Sequence, residues 1–275
     1  MNILTFDLEE WYTYILYKKG SPKYFEPILE KLLNELLFAL DREKIQATFF
    51  CLGKIARDYP DIIRHIYKSG HNIGCHSDKH KFVNKQSFSE FYEDSKKAIY
   101  SLEDKIGEKI ISYRAPAFTI TESNIWALEV LINLGIKFDS SIFPSSRSYG
   151  GFNKFPSDSP SIINTQSGII YEFPINSKPI FNRKVMFSGG GYFRLLPYQY
   201  LKSLMKNSDY VMCYFHLRDF DKEQVRVYNH RYLMNYVGIN SALSKFDLLI
   251  KDFKFMSLEQ ASQIVDWDKS EKVSL

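Results

Sequence analysis

Short apolar runs alternate with segments of helical spacing along most of this chain. Ile3-Leu4-Thr5-Phe6 reads as a first buried strand ending in acids at Asp7. From Pro27 to Leu40, the residues Ile28, Leu32, Leu33, Leu36, Leu37 and Leu40 trace one face of an amphipathic helix. Ala47 to Leu52 predicts a second strand closed by Gly53, Pro60 to Ser69 a helix, and His71 to Cys75 a third strand. A helix follows over Phe88 to Ile106, stopped by Gly107, and then a strand over Ile110 to Tyr113. Thr121 caps a helix running through Leu134, Lys137 to Ser141 is a fifth strand, and Ser145 to Ser161 is a long polar loop. Tyr171 to Ile175 and Tyr210 to Phe215 are later strands, with a helix starting near Pro197 between them. Leu233 to Ile250 reads as one helix, and Lys254-Phe255-Met256 as a last short strand. Such alternation predicts parallel βαβ units in an α/β protein. Residues with reactive side chains recur just after strands, as they do on the C-terminal face of a barrel. No repeat or linker divides the chain. A single catalytic domain over 1–265 is expected, followed by a polar, frayed tail over 266–275.

Composition narrows the partners. The 275 residues are 45% hydrophobic, enough for a sizeable core. The net charge of +4 comes from scattered lysines rather than a basic block, so nucleic acid is not an expected partner. No apolar run approaches a membrane span, and the opening residues lack the features of a signal peptide. Cys51, Cys75 and Cys213 form no C-x-x-C, which fits a reducing compartment. A cytoplasmic location is the resulting expectation.

The candidate chemistry centres on Cys75-His76-Ser77-Asp78-Lys79-His80 and on Asp7-Leu8-Glu9-Glu10-Trp11. Two imidazoles plus a carboxylate can hold a catalytic divalent metal with a position left open. His76 and His80, four apart, would share one face of a helical turn. Asp7 and Glu9, two apart on an extended segment, point to the same side, so one can bind metal while the other faces water. Arg114 follows a strand and can fork onto Asp7. His216 ends an aromatic strand, with Arg218, Asp219 and Asp221 close by, and can act as a general acid or be a histidine satisfied by those acids. His65, His71 and His230 read as surface or helix-end residues. Trp11, Tyr12, Tyr192 and Phe193 flank these segments and suit either sugar stacking or core packing. Gly189-Gly190-Gly191 lacks the spacing of a phosphate loop and suggests a tight turn near the site.

Together, Thr5-Phe6-Asp7, Ala47-Thr48-Phe49-Phe50, Gly70-His71-Asn72-Ile73-Gly74-Cys75-His76-Ser77-Asp78-Lys79-His80, Arg114-Ala115-Pro116 and Phe215-His216 resemble the polysaccharide deacetylases of carbohydrate esterase family 4. Asp139 to Pro144 and Gly189 to Pro197 look like a subgroup associated with surface-glycan assembly. The resemblance implies a distorted (β/α) barrel and metal-dependent removal of N-acetyl groups from a sugar or glycan precursor. It makes Asp7 the general base, His76 and His80 metal ligands, Arg114 the residue orienting Asp7, His216 the general acid, and Asp139 the residue orienting that acid. The Ala117 N–H would hold the oxyanion, and Tyr214 stands where a leucine usually lines the acetyl pocket. Most members carry two adjacent aspartates in the first motif. Here Leu8 follows Asp7, so the ligand role passes to Glu9 or Glu10, with Glu9 favoured by strand geometry. Zn²⁺ is the expected ion. Within the same frame, a formyl-sugar deformylase, another amide hydrolase or a non-catalytic carbohydrate-binding relative are the alternatives.

Overall fold

The computed structural model describes residues 1–9, 29–146, 149–180, 183–224, 226 and 232–275. In chain order, the first elements are β1 (Asn2–Leu8), α1 (Leu29–Arg42), β2 (Thr48–Cys51), α2 (Gly53–Asp58), α3 (Pro60–Lys68), β3 (Asn72–Cys75), α4 (Phe88–Ile106), β4 (Ser112–Tyr113), α5 (Trp126–Asn133) and β5 (Phe138–Asp139). They are followed by β6 (Ser161–Thr165), β7 (Gly168–Glu172), β8 (Lys178–Ile180), β9 (Arg183–Val185), α6 (Gly190–Leu195), α7 (Tyr198–Lys206), β10 (Val211–His216), α8 (Tyr232–Tyr236), α9 (Ala242–Asp252), α10 (Leu258–Ile264) and β11 (Glu271–Ser274). Among the described residues, nine strands form one sheet in the order β10-β1-β2-β3-β4-β5-β7-β6-β11. Every pairing in it is parallel except β6 with β7. The α/β architecture matches the expectation. Among the described residues the expected barrel is not closed by hydrogen bonds, since β10 and β11 end the sheet without pairing to each other.

Alternation along β1 sorts the two faces. Leu4, Phe6 and Leu8 enter the larger core beneath the helices, where Phe6 stacks on Phe49 at 4.8 Å. Ile3 joins a second cluster with Phe50, Phe118, Phe173, Met212 and Tyr214 on the opposite face. Thr5, Asp7 and Glu9 belong by period to the face of Ile3, and all three are buried. That apolar second face is the floor on which the polar site is built.

Local signals set several boundaries. The α4 helix opens with a reciprocal capping box between Ser87 and Glu90 and closes at Gly107, whose φ of 76° only glycine adopts readily. Four expectations need correction. The helix predicted over Leu233 to Ile250 is broken into α8 and α9 at Gly238, which sits at φ 77°. The polar loop reaches Ser161 as expected, but there it passes directly into β6, a strand the pattern did not predict. Lys254-Phe255-Met256 adds only a bridge from Met256 to Ile3. The tail is not frayed: β11 pairs with β6 from Glu271 to Ser274, and Trp267 packs 4.5 Å from Tyr171. A single aromatic anchor and four ladder positions hold a segment whose composition is polar.

Candidate active site

The site forms at the C-terminal ends of parallel strands. Asp7 on β1 is the register partner of His216 on β10, which brings the two side chains to one face. The β3 and β4 strands end at Cys75 and Tyr113, one residue short of His76 and Arg114. All four polar groups therefore converge by topology, from positions up to 209 residues apart in sequence.

Arg114 is fully buried and lies 4.3 Å from the Phe50 ring centroid. Its Nη1 donates to Asp7 Oδ1 at 2.8 Å and to Thr5 Oγ1 at 2.8 Å. Its Nη2 and Nε donate to the Ser140 hydroxyl and carbonyl at 3.0 and 3.2 Å. With Oδ1 held in this way, Asp7 Oδ2 faces the site, 3.9 Å from both His76 Nε2 and His216 Nε2.

Glu9, His76 and His80 each place one ligand atom within 4.8 Å of the others, and all three are buried. His76 Nδ1 lies 2.7 Å from the Arg114 carbonyl. A carbonyl only accepts, so Nδ1 carries the proton and Nε2 presents a lone pair. Burial lowers the His76 pKa to about 4, which keeps the ring neutral. Burial also opposes ionisation of Glu9, but His80, His216 and Arg218 outweigh it and hold the carboxyl far below its ordinary range. Glu9 Oε2 is 2.8 Å from His80 Nε2 yet lacks an aligned hydrogen-bond donor. An ionised, buried oxygen without a donor, beside two imidazoles, fits a divalent cation. The histidines do not lie on a helical turn. Ser77 and His80 adopt left-handed backbone, at φ 69° and 58°, and the Ser77 hydroxyl accepts from the His80 N–H. The i,i+4 spacing works through this compact loop, which brings the rings 5.3 Å apart.

His216 ends β10, and its Nδ1 lies 3.1 Å from Asp219 Oδ2. The same oxygen accepts from the His216 backbone N–H at 2.8 Å. Nε2 points to the site, 3.5 Å from Glu9 Oε1. Burial works against an imidazolium here, but Asp219 reverses the balance and raises the His216 pKa. Asp219 in turn pairs with Arg194. The carboxylate beside His216 is therefore Asp219, where Asp139 was expected. Asp139 accepts from the Ser141 hydroxyl at 2.6 Å, and Ser141 accepts from the Ala115 N–H at 2.8 Å. Its register partner is Glu172, and burial raises the pKa of both carboxyls, Glu172 the more because the Asp139 charge faces it. Asp139 braces the Arg114-Ala115 segment and makes no contact with His216 among its hydrogen bonds and ion pairs.

Ala117 takes φ 52° and ψ 23°, left-handed backbone unusual for a residue with a Cβ. Tyr214 is buried, with its ring 5.6 Å from that of His216 and 5.3 Å from that of Phe118. Tyr192 is partly exposed on α6. Glu10, Trp11, Tyr12 and His230 lie outside the described residues. His71 is buried rather than at the surface: its Nδ1 accepts from the Ala47 N–H, and burial lowers its pKa to about 4. The sequence placed Asp219 only among several acids near His216 and gave Arg194 no role, yet the structure stacks them in line behind the ring. The signal for Asp219 was its place three residues after His216, and for Arg194 its place just behind three glycines.

Comparison with known proteins gives this geometry a family. Residues 4–138 match the model described as polysaccharide deacetylase, and residues 140–263 match a domain of unknown function, DUF3473. The chain belongs to the polysaccharide deacetylase family. It is similar to the Listeria monocytogenes peptidoglycan-N-acetylglucosamine deacetylase PgdA, 32% identical over 81 residues, which is 30% of this chain and 17% of that protein. It is also similar to Saccharomyces cerevisiae chitin deacetylase 1, 29% identical over 102 residues, 37% of this chain and 31% of that protein. The chain thus matches less than a third of the length of these relatives. Among solved structures, a Mycobacterium smegmatis chain to which a polysaccharide deacetylase role is ascribed superposes with a TM-score of 0.67 at 18% identity, covering 100% of this chain and 92% of that one. A CE4 family pseudoenzyme from Bacillus anthracis gives 0.53 at 11% identity, covering 100% and 69%. At such identities these structures report the fold alone.

Proposed function

We propose that this protein is a metal-dependent hydrolase that removes an N-acetyl group from an N-acetylated sugar or glycan precursor. The convergence of Asp7 Oδ2, His216 Nε2 and the Glu9-His76-His80 cluster on one buried face carries the reading. Glu9, His76 and His80 would hold a divalent cation, expected to be Zn²⁺, which supplies Lewis acidity toward the amide carbonyl and its attacking water.

The protein's own groups do the rest. Arg114 fixes one oxygen of Asp7, so Oδ2 is the atom that takes the proton from water. The left-handed turn at Ala117 sets the direction of its N–H, the donor proposed for the oxyanion. His216 holds a proton on Nε2, favoured by Asp219 behind it, and gives it to the departing amine. The proton taken by Asp7 and the one given by His216 balance over the cycle. Tyr192 and Trp11 are the proposed sugar-stacking side chains. The free, buried cysteines Cys51, Cys75 and Cys213 support the cytoplasmic setting that belongs to this proposal.

One observation keeps a second acyl group in view. The Tyr214 ring, bulkier than the leucine the resemblance leads one to expect, stands 5.6 Å from the His216 ring, and a smaller formyl substrate is the alternative. The test is release of acetate from an N-acetylated sugar by the zinc-loaded protein, followed by the same assay with formate detection. Formate release without acetate would move the assignment to a deformylase. Release of neither from any N-acyl sugar would overturn the hydrolase reading.

A further inference from the structure

The three glycines at 189–191 lack the spacing of a phosphate loop, and their surroundings show another use. Gly189 bridges the end of β10 at Tyr214, so closely that a Cβ there would meet the Tyr214 carbonyl oxygen at 2.1 Å. Gly191 faces α8, where a Cβ would meet the Met234 carbonyl oxygen at 2.4 Å. Both close approaches pull α6 against the strand that ends in His216 and against the following helix. Arg194 then falls on the inner side of α6, only 5% exposed. Its Nη1 pairs with Asp219 Oδ1, and its Nη2 donates to the Met234 and Asn235 carbonyls at 2.6 and 3.1 Å. Asp219 is the carboxylate with which it forms an ion pair among the described residues. The helix end is gripped from outside as well: Lys245 Nζ donates to the Phe193, Arg194 and Leu196 carbonyls at 3.1, 2.9 and 2.8 Å.

Such an arrangement divides the Asp219 carboxylate between two neighbours. Oδ1 is committed to Arg194, while Oδ2 accepts from His216 twice, at the backbone and at Nδ1. A carboxylate pinned at both oxygens cannot turn away from the imidazole. Its acceptor oxygen requires a proton on Nδ1, and so directs Nε2 into the site. We propose that Arg194 is a positioning residue of the active site, acting through Asp219 to fix the tautomer and orientation of His216, and that the glycine segment 189–191 exists to seat it. The proposal rests on His216 being the acid of the proposed reaction, yet its geometric part stands apart from activity.

The experiment uses the full-length zinc-loaded protein with uniform ¹⁵N labelling. Long-range ¹H–¹⁵N spectra read the His216 tautomer, with His216→Gln assigning the signal. The wild-type ring should carry its proton on Nδ1 in the neutral form. A proton on Nε2 instead overturns the proposal without recourse to any Arg194 variant. Arg194→Gln should mix the tautomers and lower kcat for acetate release from an N-acetylglucosamine oligomer by about 10–100-fold, the usual scale for an outer partner. KM and zinc affinity should stay within about twofold of wild type. Arg194→Lys, which restores the charge, should recover much of the loss. A folded Arg194→Gln with unchanged tautomer and kcat would overturn the proposal. A wild-type protein inactive on every N-acyl sugar would defeat the function reading alone, because the tautomer would still decide the geometry.

Discussion

Two buried arginine–carboxylate pairs border this site, and they present different groups to it. In the first, Arg114 takes one oxygen of Asp7 and the other oxygen faces the site. In the second, Arg194 takes one oxygen of Asp219 and the other oxygen faces His216. The chemistry of the pairs is alike. What differs is the imidazole placed between the second carboxylate and the site. Without it, the pair presents an acceptor of protons. With it, the pair faces the site through the His216 ring, whose pKa Asp219 raises. In the proposed reaction the same kind of ion pair thus serves the base directly and the acid through one interposed ring. The two also differ in support. Arg114 is braced by Thr5, Ser140 and the Phe50 ring, whereas Arg194 leans on backbone carbonyls of α8.

The comparison can be broken in several places. Asp7→Asn keeps the shape but removes the acceptor, so acetate release should fall by about 10³-fold or more. Bound zinc, measured by elemental analysis, should be unchanged, and undiminished turnover would remove Asp7 from the role of base. Glu9→Gln should weaken zinc binding by more than roughly 100-fold, since outer partners alone carry about 10–100-fold. Glu10→Gln should leave binding intact, and the reverse result would move the ligand role to Glu10. Arg114→Met strands a buried carboxylate and should cost about 3–5 kcal/mol of stability in denaturant unfolding.

Asp219→Asn should reveal the second pair through pH. Burial opposes ionisation of Asp219, but the Arg194 charge and then His216 outweigh it, so its folded pKa lies well below the ordinary range. An acid depressed on folding contributes fully above its unfolded pKa, near about 3.9, and loses that contribution as pH falls toward the folded value. The stability gap between wild type and Asp219→Asn should therefore be widest near neutrality and narrow below about pH 4. A gap that stays constant would argue against an ionised Asp219. The smallest effect is expected from Asp139→Asn, about 1 kcal/mol of stability through Ser141, with little change in kcat. A loss in kcat equal to that of Asp219→Asn would restore Asp139 as the residue orienting the acid.

Much of the site was legible because its residues end strands. Asp7, His76, Arg114 and His216 each follow a short apolar run, and parallel strands deliver their C-terminal ends to one rim. Glu9 was readable from the period of two that it shares with Asp7. Asp139 also follows a strand, but its neighbours Ser141 and Glu172 claim it, and nothing in the local pattern tells a brace from an orienting group. The broken helix at Gly238 escaped for a similar reason: the apolar spacing continues across the break.

By itself the sequence determined the alternation of strands and helices, the ends of the strands and hence which side chains are candidates at their rim, because each depends on neighbours within a few residues. Tertiary structure alone decided which carboxylate stands behind His216, how His76 and His80 converge without a helical turn, and that a polar tail becomes β11. Those outcomes depend on close approaches between segments far apart in the chain, such as Gly189 against Tyr214 and Gly191 against Met234. Pattern along one segment carries no record of what packs against it.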